Sequence, residues 1–321
     1  MAWKYLNPGD YRLLDNYVSA SVRSYADNVI APVTHMAFQN ESAGNTPIVI
    51  PSGTKDIWIA ATITSESNTD SDYYAASISL YTPSNSRYKS CSASFSRSLT
   101  CVTVNAATRY RQVVNLNARI RIVRVLLHVK SGLSDGAVDL YLDGKLAYAE
   151  SNINVAGGED IFVYSLYFNS SYLHYCSDLI ISDAPIDLAE HVAVLPIANT
   201  NAEGWTYDAV NNIYTADSAN KSIWQVPDIN QLKAVTGLDN PSVTAVAIQA
   251  YNVSTNDTSQ VDTLQKAVKQ NGQVVITDSA DISTATAVIS PAMTINPVTN
   301  AAWTLNDLAN LQLGITTAKS A

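Results

Sequence analysis

The residues of this chain that could do acid–base, nucleophilic or metal chemistry are few. There are four histidines, His35, His128, His174 and His191, and three cysteines, Cys91, Cys101 and Cys176. His128 sits in the apolar run VLLHVK and His174 in YLHYC. A lone histidine in such a setting reads as a hydrogen-bonded core or surface residue rather than a general base. No Gly-x-Ser-x-Gly elbow, His-Glu-x-x-His pair or phosphate-binding loop occurs. Retaining glycosidases need two carboxyl groups about 5 Å apart, which a Glu-x-Asp-x-x-Glu strand would supply on one face. That motif is absent, and the adjacent Glu159 and Asp160 point to opposite faces. The expectation is no catalytic residue, no cofactor and no enzymatic role.

Binding chemistry is better represented. The chain has 18 tyrosines, among them Tyr73, Tyr74, Tyr81, Tyr88, Tyr110, Tyr164 and Tyr167. Tyrosine suits glycan stacking and interfaces, and it equally suits half-buried strands. Asn68, Asp70 and Asp72 on one loop, with Asp135 and Asp139 on another, are candidate calcium ligands at a sandwich rim, or ordinary turn residues. No His and Cys stand at zinc-finger spacing, so no structural zinc is expected, and no metal-binding residue is assigned. Cys91 and Cys101 flank SASFSRSLT and have the spacing of partners across a hairpin; a disulfide there competes with two small buried hydrophobes. The net charge of −9 argues against broad contact with nucleic acid. MAWKYLNPGDYRLLDN lacks a basic region followed by an apolar one, and no apolar run reaches membrane-spanning length. We therefore expect a chain without membrane insertion that is made and kept soluble, or that leaves its producing cell by a route other than secretion, such as lysis.

The elements that must position these residues are strands. The run from Arg119 to Asp183 holds three β-rich blocks joined by glycine-containing turns, including Asp143-Gly144. Upstream, KDIWIAATITSES reads as a strand buried on both faces, YYAASISLYTP as another, and RYKSCSASFSRSLTCVTVN as a hairpin. In RIRIVRVLLHVK, Arg119, Arg121 and Arg124 are expected to face outward and Ile120 and Ile122 inward. About ten or eleven strands at this turn spacing predict a jelly-roll sandwich, since two apolar sheet faces must bury each other. Residues 1–32 read as an arm, 33–186 as the jelly roll, and 187–321 as a smaller β-rich domain. In that last domain VDTLQKAVKQNGQVVITDS reads as two strands across Asn271-Gly272. The stretch AAWTLNDLANLQLGI reads as a short closing helix capped by Thr304 and Asp307, with Leu305, Leu308, Leu311 and Leu313 on one face and Gly314 at its end.

Two stretches carry a resemblance. LYLDGKLAY, FVYSLYF and YCSDLIISD resemble the final strands of concanavalin A-like or laminin G-like domains, with Ser177-Asp178 in place of paired acids. INPVTNAAWTLNDLANLQLGI resembles the ending of many tailed-bacteriophage virion proteins. The resemblance implies a concanavalin A-like jelly roll in a virion structural protein. Such a protein would be a surface-exposed tail, baseplate or fibre component that assembles as a homo-oligomer with other virion proteins. Capsid decoration, and a carbohydrate-binding adhesin for a host surface glycan, are the alternatives. Candidate interface residues are Trp3, Tyr5, Tyr11 and Leu14 in the arm, Trp205 and Trp224 in the polar aromatic zone, and Trp303 beside the helix.

Overall fold

The computed structural model describes residues 3–7, 20–24, 36–40, 50–66, 76–82, 91–96, 98–113, 120–168, 174–211, 213–282, 286–289 and 292–320; counts and absences below refer to these. The chain is all-β, with antiparallel sheets and only short helices. It divides into two compact units, Ala2–Ala193 and Val194–Ala321.

The first unit contains β1 (Lys4–Asn7), β2 (Ala20–Ser24), β3 (Met36–Asn40), β4 (Asp56–Glu66), β5 (Ala76–Tyr81), β6 (Cys91–Phe95), β7 (Leu99–Val104), β8 (Ala107–Val113), β9 (Ile120–Lys130), β10 (Gly132–Leu142), β11 (Lys145–Val155), β12 (Phe162–Phe168) and β13 (His174–Ser182). They form one jelly-roll sheet in the order β11-β10-β9-β4-β13-β3-β12-β5-β6-β7-β8, with β1 on β13 and β2 on β3. Both predicted hairpins are present. The β10–β11 tip is Asp143-Gly144, both residues at positive φ (48° and 77°), as a tight two-residue turn requires. The opening segment, read as an arm, contributes β1 and β2 to this sheet.

Strand β4 is buried on both faces, as its composition predicts. On one face Ile57, Ile59, Ala61 and Ile63 are fully enclosed and join Val125, Leu127 and Val129 of the neighbouring β9 in the sandwich core. On the other face Ala60, Leu126 and Ile180 are covered by Ile186 and Val192, with Leu6, Trp58, Tyr141 and Leu188 around them. Residues 184–193 are thus a strap across the outer face of the sheet. Its apolar contacts carry this unit to Ala193, where the sequence places the boundary at 186.

Strand β9 corrects one expectation. Arg121 faces inward and is 8% exposed, whereas Ile122 is 39% exposed. The guanidinium is engaged inside: Nη1 donates to the carbonyls of Ser96 (2.8 Å) and Leu99 (3.3 Å), and Nη2 to Thr100 Oγ1 (2.8 Å). Three fixed acceptors offset its burial. The cysteines are all free and buried. Cys91 lies opposite Val104, and Cys101 opposite Ser94. Positions 101 and 104 of β7 differ by an odd number, so the two thiols point to opposite faces and a bridge is ruled out by register.

The second unit contains β14 (Ile197–Glu203), β15 (Thr206–Asp208), β16 (Ile213–Thr215), β17 (Ser222–Pro227), α1 (Leu232–Thr236), β18 (Gln249–Val253), β19 (Thr263–Gln270), β20 (Gln273–Asp281), β21 (Thr286–Ile289), α2 (Leu305–Ala309) and β22 (Leu311–Ala318). Its main sheet runs β14-β17-β22-β19-β20, and Ile248, Val268, Trp303, Leu308 and Leu311 form its core. The Asn271-Gly272 turn joins β19 and β20 as expected. The predicted capping box of α2 is present, with Thr304 and Asp307 exchanging bonds. The helix itself is shorter than expected. It stops at Asn310, and Leu311 and Leu313 belong to β22, which pairs on both sides with β17 and β19. A ladder on two edges outweighs a third helical turn. Gly314 is therefore mid-strand and has a packing role: a Cβ there would lie 2.4 Å from the Trp224 ring and 2.7 Å from the Ile223 carbonyl.

Candidate functional site

The ends of the long sheet, β8 and β11, meet along a seam. Asn105 Nδ2 donates to the Asn154 carbonyl at 2.8 Å, the Tyr110 and Tyr148 rings lie 5.5 Å apart at 30°, and Arg109 Nη1 is 3.5 Å from Glu150 Oε1. Tyr110 pairs across from Val102 and Gln112 from Thr100, while Tyr148 pairs across from Leu140 and Glu150 from Val138. All four partners are fully buried. Directly paired residues share a side, so Tyr110 and Gln112 lie on the side of Val102 and Thr100, and Tyr148 and Glu150 on the side of Leu140 and Val138; Gln112 is exposed and the other three are half-buried.

Each edge strand carries a bulge at this point. Val102 faces Tyr110 but Thr103 faces Thr108, so Arg109 is the extra residue of β8. Leu140 faces Tyr148 but Tyr141 faces Leu146, so Ala147 is the extra residue of β11. Bulges re-aim side chains and bend the strand, and here they bring an arginine, two tyrosines and a glutamate from chain-distant strands together. The tyrosine hydroxyls are held. Tyr110 donates to Gln112 Oε1 at 2.8 Å, and Tyr148 donates to Glu150 Oε2. Burial, then the bond to Glu150 and its charge, push the Tyr148 phenol up, so it is a neutral donor rather than a phenolate. Burial also raises Tyr110, against the opposing charge of Arg121. The set offers half-exposed aromatic rings flanked by donors and acceptors, which is the chemistry of polyol binding.

A second cluster fastens the strap. At Asp178, β13 carries one residue more than β4, since Ser177 faces Thr62 and Ile180 faces Ala60. Asp178 takes φ 55°, a left-handed value that aspartate tolerates. The bulge turns its carboxylate, 1% exposed, onto Arg124 (2.8 Å), His191 Nδ1 (2.5 Å) and the Val192 N–H (2.5 Å). Arg124 also donates to the carbonyls of Asp178 and Glu190, both at 2.7 Å, and Lys4 pairs with Glu190. Burial lowers the Arg124 guanidinium, opposed by the Asp178 charge. Nearby, His128 stacks on Trp58 with centroids 3.9 Å apart and is held by Asp139 and Asp56, each at 2.8 Å. This is the satisfied strand histidine expected from the sequence.

Five of the sequence-chosen interface residues are among the described ones. Trp3 is half-buried, and its N–H donates to Asp183 at 2.7 Å. Tyr5, Trp224 and Trp303 are each 4% exposed, so they pack within their own units and present little surface. Trp303 Nε1 donates to the Met293 carbonyl at 2.7 Å, and Lys269 lies over the Trp224 ring at 5.3 Å. Trp205 is half-buried, with its Nε1 enclosed and unbonded. Tyr11 and Leu14 lie outside the described residues, as do Asn68, Asp70, Asp72, Tyr73, Tyr74, Tyr88 and His35. Asp135 pairs with Lys130 at 3.3 Å and Asp139 with His128. No cluster among the described residues has the arrangement to hold a metal. Of the tyrosines singled out, Tyr110 lines the seam. Tyr148, Glu150, Arg109 and Gln112 were missed, although Tyr148 and Glu150 stand two apart on one strand face.

The sequence matches no family model, and no curated protein sequence matches it. Solved structures similar to it include a Trypanosoma rangeli sialidase in complex with sialic acid, at 12% identity and TM-score 0.36, over 58% of this chain and 31% of that one. The botulinum neurotoxin type G receptor binding domain is similar at 13% identity and TM-score 0.36, over 70% and 61%. The alginate lyase Aly36B, as a mutant in complex with alginate trisaccharide, is similar at 8% identity and TM-score 0.34, over 56% and 97%. The chain spans only 28%, 26% and 31% of three sialidase chains that it matches. These likenesses correct one expectation. The sequence reading excludes catalysis, yet sialidases and a lyase stand among the structural neighbours, so that exclusion does not hold; at this degree of likeness no activity is assigned either.

Proposed function

We propose that the chain is a carbohydrate-binding protein displayed on a bacteriophage particle, with the β8–β11 seam as its glycan site. The observation that carries the binding reading is the convergence of Tyr110, Tyr148, Arg109, Gln112 and Glu150, aimed by two bulges on edge strands. Placement on a particle is supported by the resemblance of INPVTNAAWTLNDLANLQLGI to virion protein endings. A tail, baseplate or fibre position is preferred over capsid decoration because glycan recognition serves attachment. The test is a glycan array probed with the wild-type chain and with Tyr110→Ala. Selective binding that the substitution abolishes supports the reading, and a folded wild-type chain without glycan binding refutes it. Labelled antibody on intact particles tests the location.

A second reading, a self-assembling structural component, is favoured by the β15–β16 hairpin. Tyr207, Val210 and Ile213 are 48%, 92% and 52% exposed there, and Tyr207 packs on Tyr214 at 4.7 Å. Clustered exposed apolar groups mark contact surfaces. Light scattering of the wild-type chain and of a Val210→Asp variant tests it: an oligomer that the variant dissociates supports assembly through this hairpin, and identical masses refute it.

A further inference from the structure

On the carbohydrate reading above, the spare bonding capacity of the seam says which sugars it would take. Arg109 is the extra residue of a bulge on an edge strand, so its side chain is not locked into a ladder row. It is 39% accessible, more than the 30% of Glu150. Its contact to Glu150 is one-pronged, from Nη1 to Oε1 at 3.5 Å, the long end of hydrogen-bond range. A guanidinium carries five N–H donors in a planar fork, and the remaining donors of Arg109 meet no acceptor among the described residues. Glu150 is held differently. Its second oxygen takes the hydroxyl of Tyr148, two residues away on its own strand, so the carboxylate is anchored to β11 without relying on Arg109. The arginine is therefore the group with capacity to spare, and its fork matches the two oxygens of a carboxylate.

The surrounding charge has the same sign. The two seam strands carry Arg109, Arg111 and Lys145 against Glu150 alone. Arg111 is exposed and faces the other side of β8, across from Cys101. It stands about 7 Å along the strand from Arg109, within the screening length of about 8 Å in physiological salt. From inside, the Arg121 charge reaches the Tyr110 hydroxyl and opposes the effect of burial there, although Asp143 answers part of that charge. On β10, Asp139 is turned to the opposite face from Val138, onto His128. The seam is thus locally cationic in a chain whose net charge is −9.

We propose that the β8–β11 seam binds acidic sugars, with the Arg109 fork taking the sugar carboxylate and Tyr110 stacking on the ring. A uronate or sialate gains a two-pronged, charge-assisted pair there. A neutral hexose offers the same donors only uncharged oxygens, which make the weaker bond.

The experiment presents the full chain with immobilised oligogalacturonate and with the same oligomer as its methyl ester, which keeps the ring and removes the charge. Sialate-terminated glycans and their neutral counterparts form a second pair. The wild-type chain is expected to hold the acidic member at least roughly tenfold more tightly, the ratio that one charged hydrogen bond supplies. A preference in either pair supports the inference and identifies the acid. Arg109→Gln, which keeps donors and removes the charge, should abolish the preference. Glu150→Gln should increase it by removing the competing carboxylate. Circular dichroism melts confirm that each variant is folded; should Arg109→Gln not fold, the wild-type comparison of acid with ester still decides. Equal or weaker wild-type binding of the acidic member in both pairs, or an unchanged preference in folded Arg109→Gln, overturns the inference while leaving carbohydrate binding intact. Absence of binding to every glycan overturns the carbohydrate reading itself, and this inference with it.

Discussion

Replacing Arg124 by methionine tests how the strap is fastened to the sheet. Methionine keeps an unbranched apolar stem and removes the guanidinium. Asp178 then remains 1% exposed without its 2.8 Å partner, and the carbonyls of Asp178 and Glu190 lose donors at 2.7 Å. Removing one partner of a buried ion pair costs about 3–5 kcal/mol. For a unit the size of Ala2–Ala193, each kcal/mol moves the melting midpoint by about 2–4 °C. The midpoint of that unit should therefore fall by roughly 6–20 °C. Asp178→Asn approaches the same pair from the other side. Asparagine adopts the φ of 55° as readily as aspartate, so the substitution reads out charge and not backbone strain. If the pair acts as a unit, the double variant costs less than the sum of the two by at least about 1 kcal/mol. The assay is thermal unfolding by circular dichroism, combined with protease sensitivity of residues 184–193 to separate this unit from the second. A loss below about 1 kcal/mol for Arg124→Met, or additivity within about 0.5 kcal/mol, would refute the assignment.

Three other outcomes are expected. The thiols should resist a water-soluble disulfide reagent in the native chain and react fully in denaturant, because all are buried and burial pushes Cys91 up to about 12; rapid native labelling would contradict this. Gly314→Ala should destabilise the second unit by about 1–3 kcal/mol through overpacking against the Trp224 ring at 2.4 Å, with a change in tryptophan fluorescence; an unchanged melt would show that the ring moves freely. Asp262, bonded to Lys319 and to Ser320, has its carboxyl held below the ordinary 3.8, chiefly by Lys319. Its folded value is depressed, so the tether on the C-terminal residues is complete above the unfolded value and is lost as pH falls through the folded one. Anisotropy of a dye attached at the C-terminus should fall in that acid range and should be low at neutral pH in Asp262→Asn. A flat profile identical in both proteins would exclude the tether.

Local chemistry was legible and long-range assembly was not. Asp143-Gly144, Asn271-Gly272 and the Thr304–Asp307 box each act within a few residues, and each forms as read. The double-sided burial of β4 followed from its composition, but the covering strap did not, since residues 184–193 have no periodicity of their own. Alternation assigns the charge of Arg121 to solvent. Its inward position depends on two carbonyls and a hydroxyl supplied by the turn and strand at Ser96–Thr100, which no pattern within β9 encodes. The same holds for the end of α2, where pairing of β22 with β17 and β19 overrode a leucine spacing that suits a helix. The seam was least legible. It joins β8 and β11, neighbours in space that stand at opposite ends of the strand order, and its residues are aimed by bulges that spacing rules do not anticipate.

The fastening at β13 also determines how the jelly roll meets mechanical load. The chain enters through β1, which is zipped to β13, and leaves through the strap, which is bolted to the same strand by Asp178. Lys4 and Glu190 join entrance and exit directly. Tension applied between the two ends of this unit therefore converges on one corner, where the Lys4–Glu190 pair, the β1–β13 ladder and the Arg124 contacts to the strap share the load. The seam strands lie off that line of force. A ligand held there would stay gripped while the rest of the chain is tugged, a useful property for anything that must hold on to a moving surface.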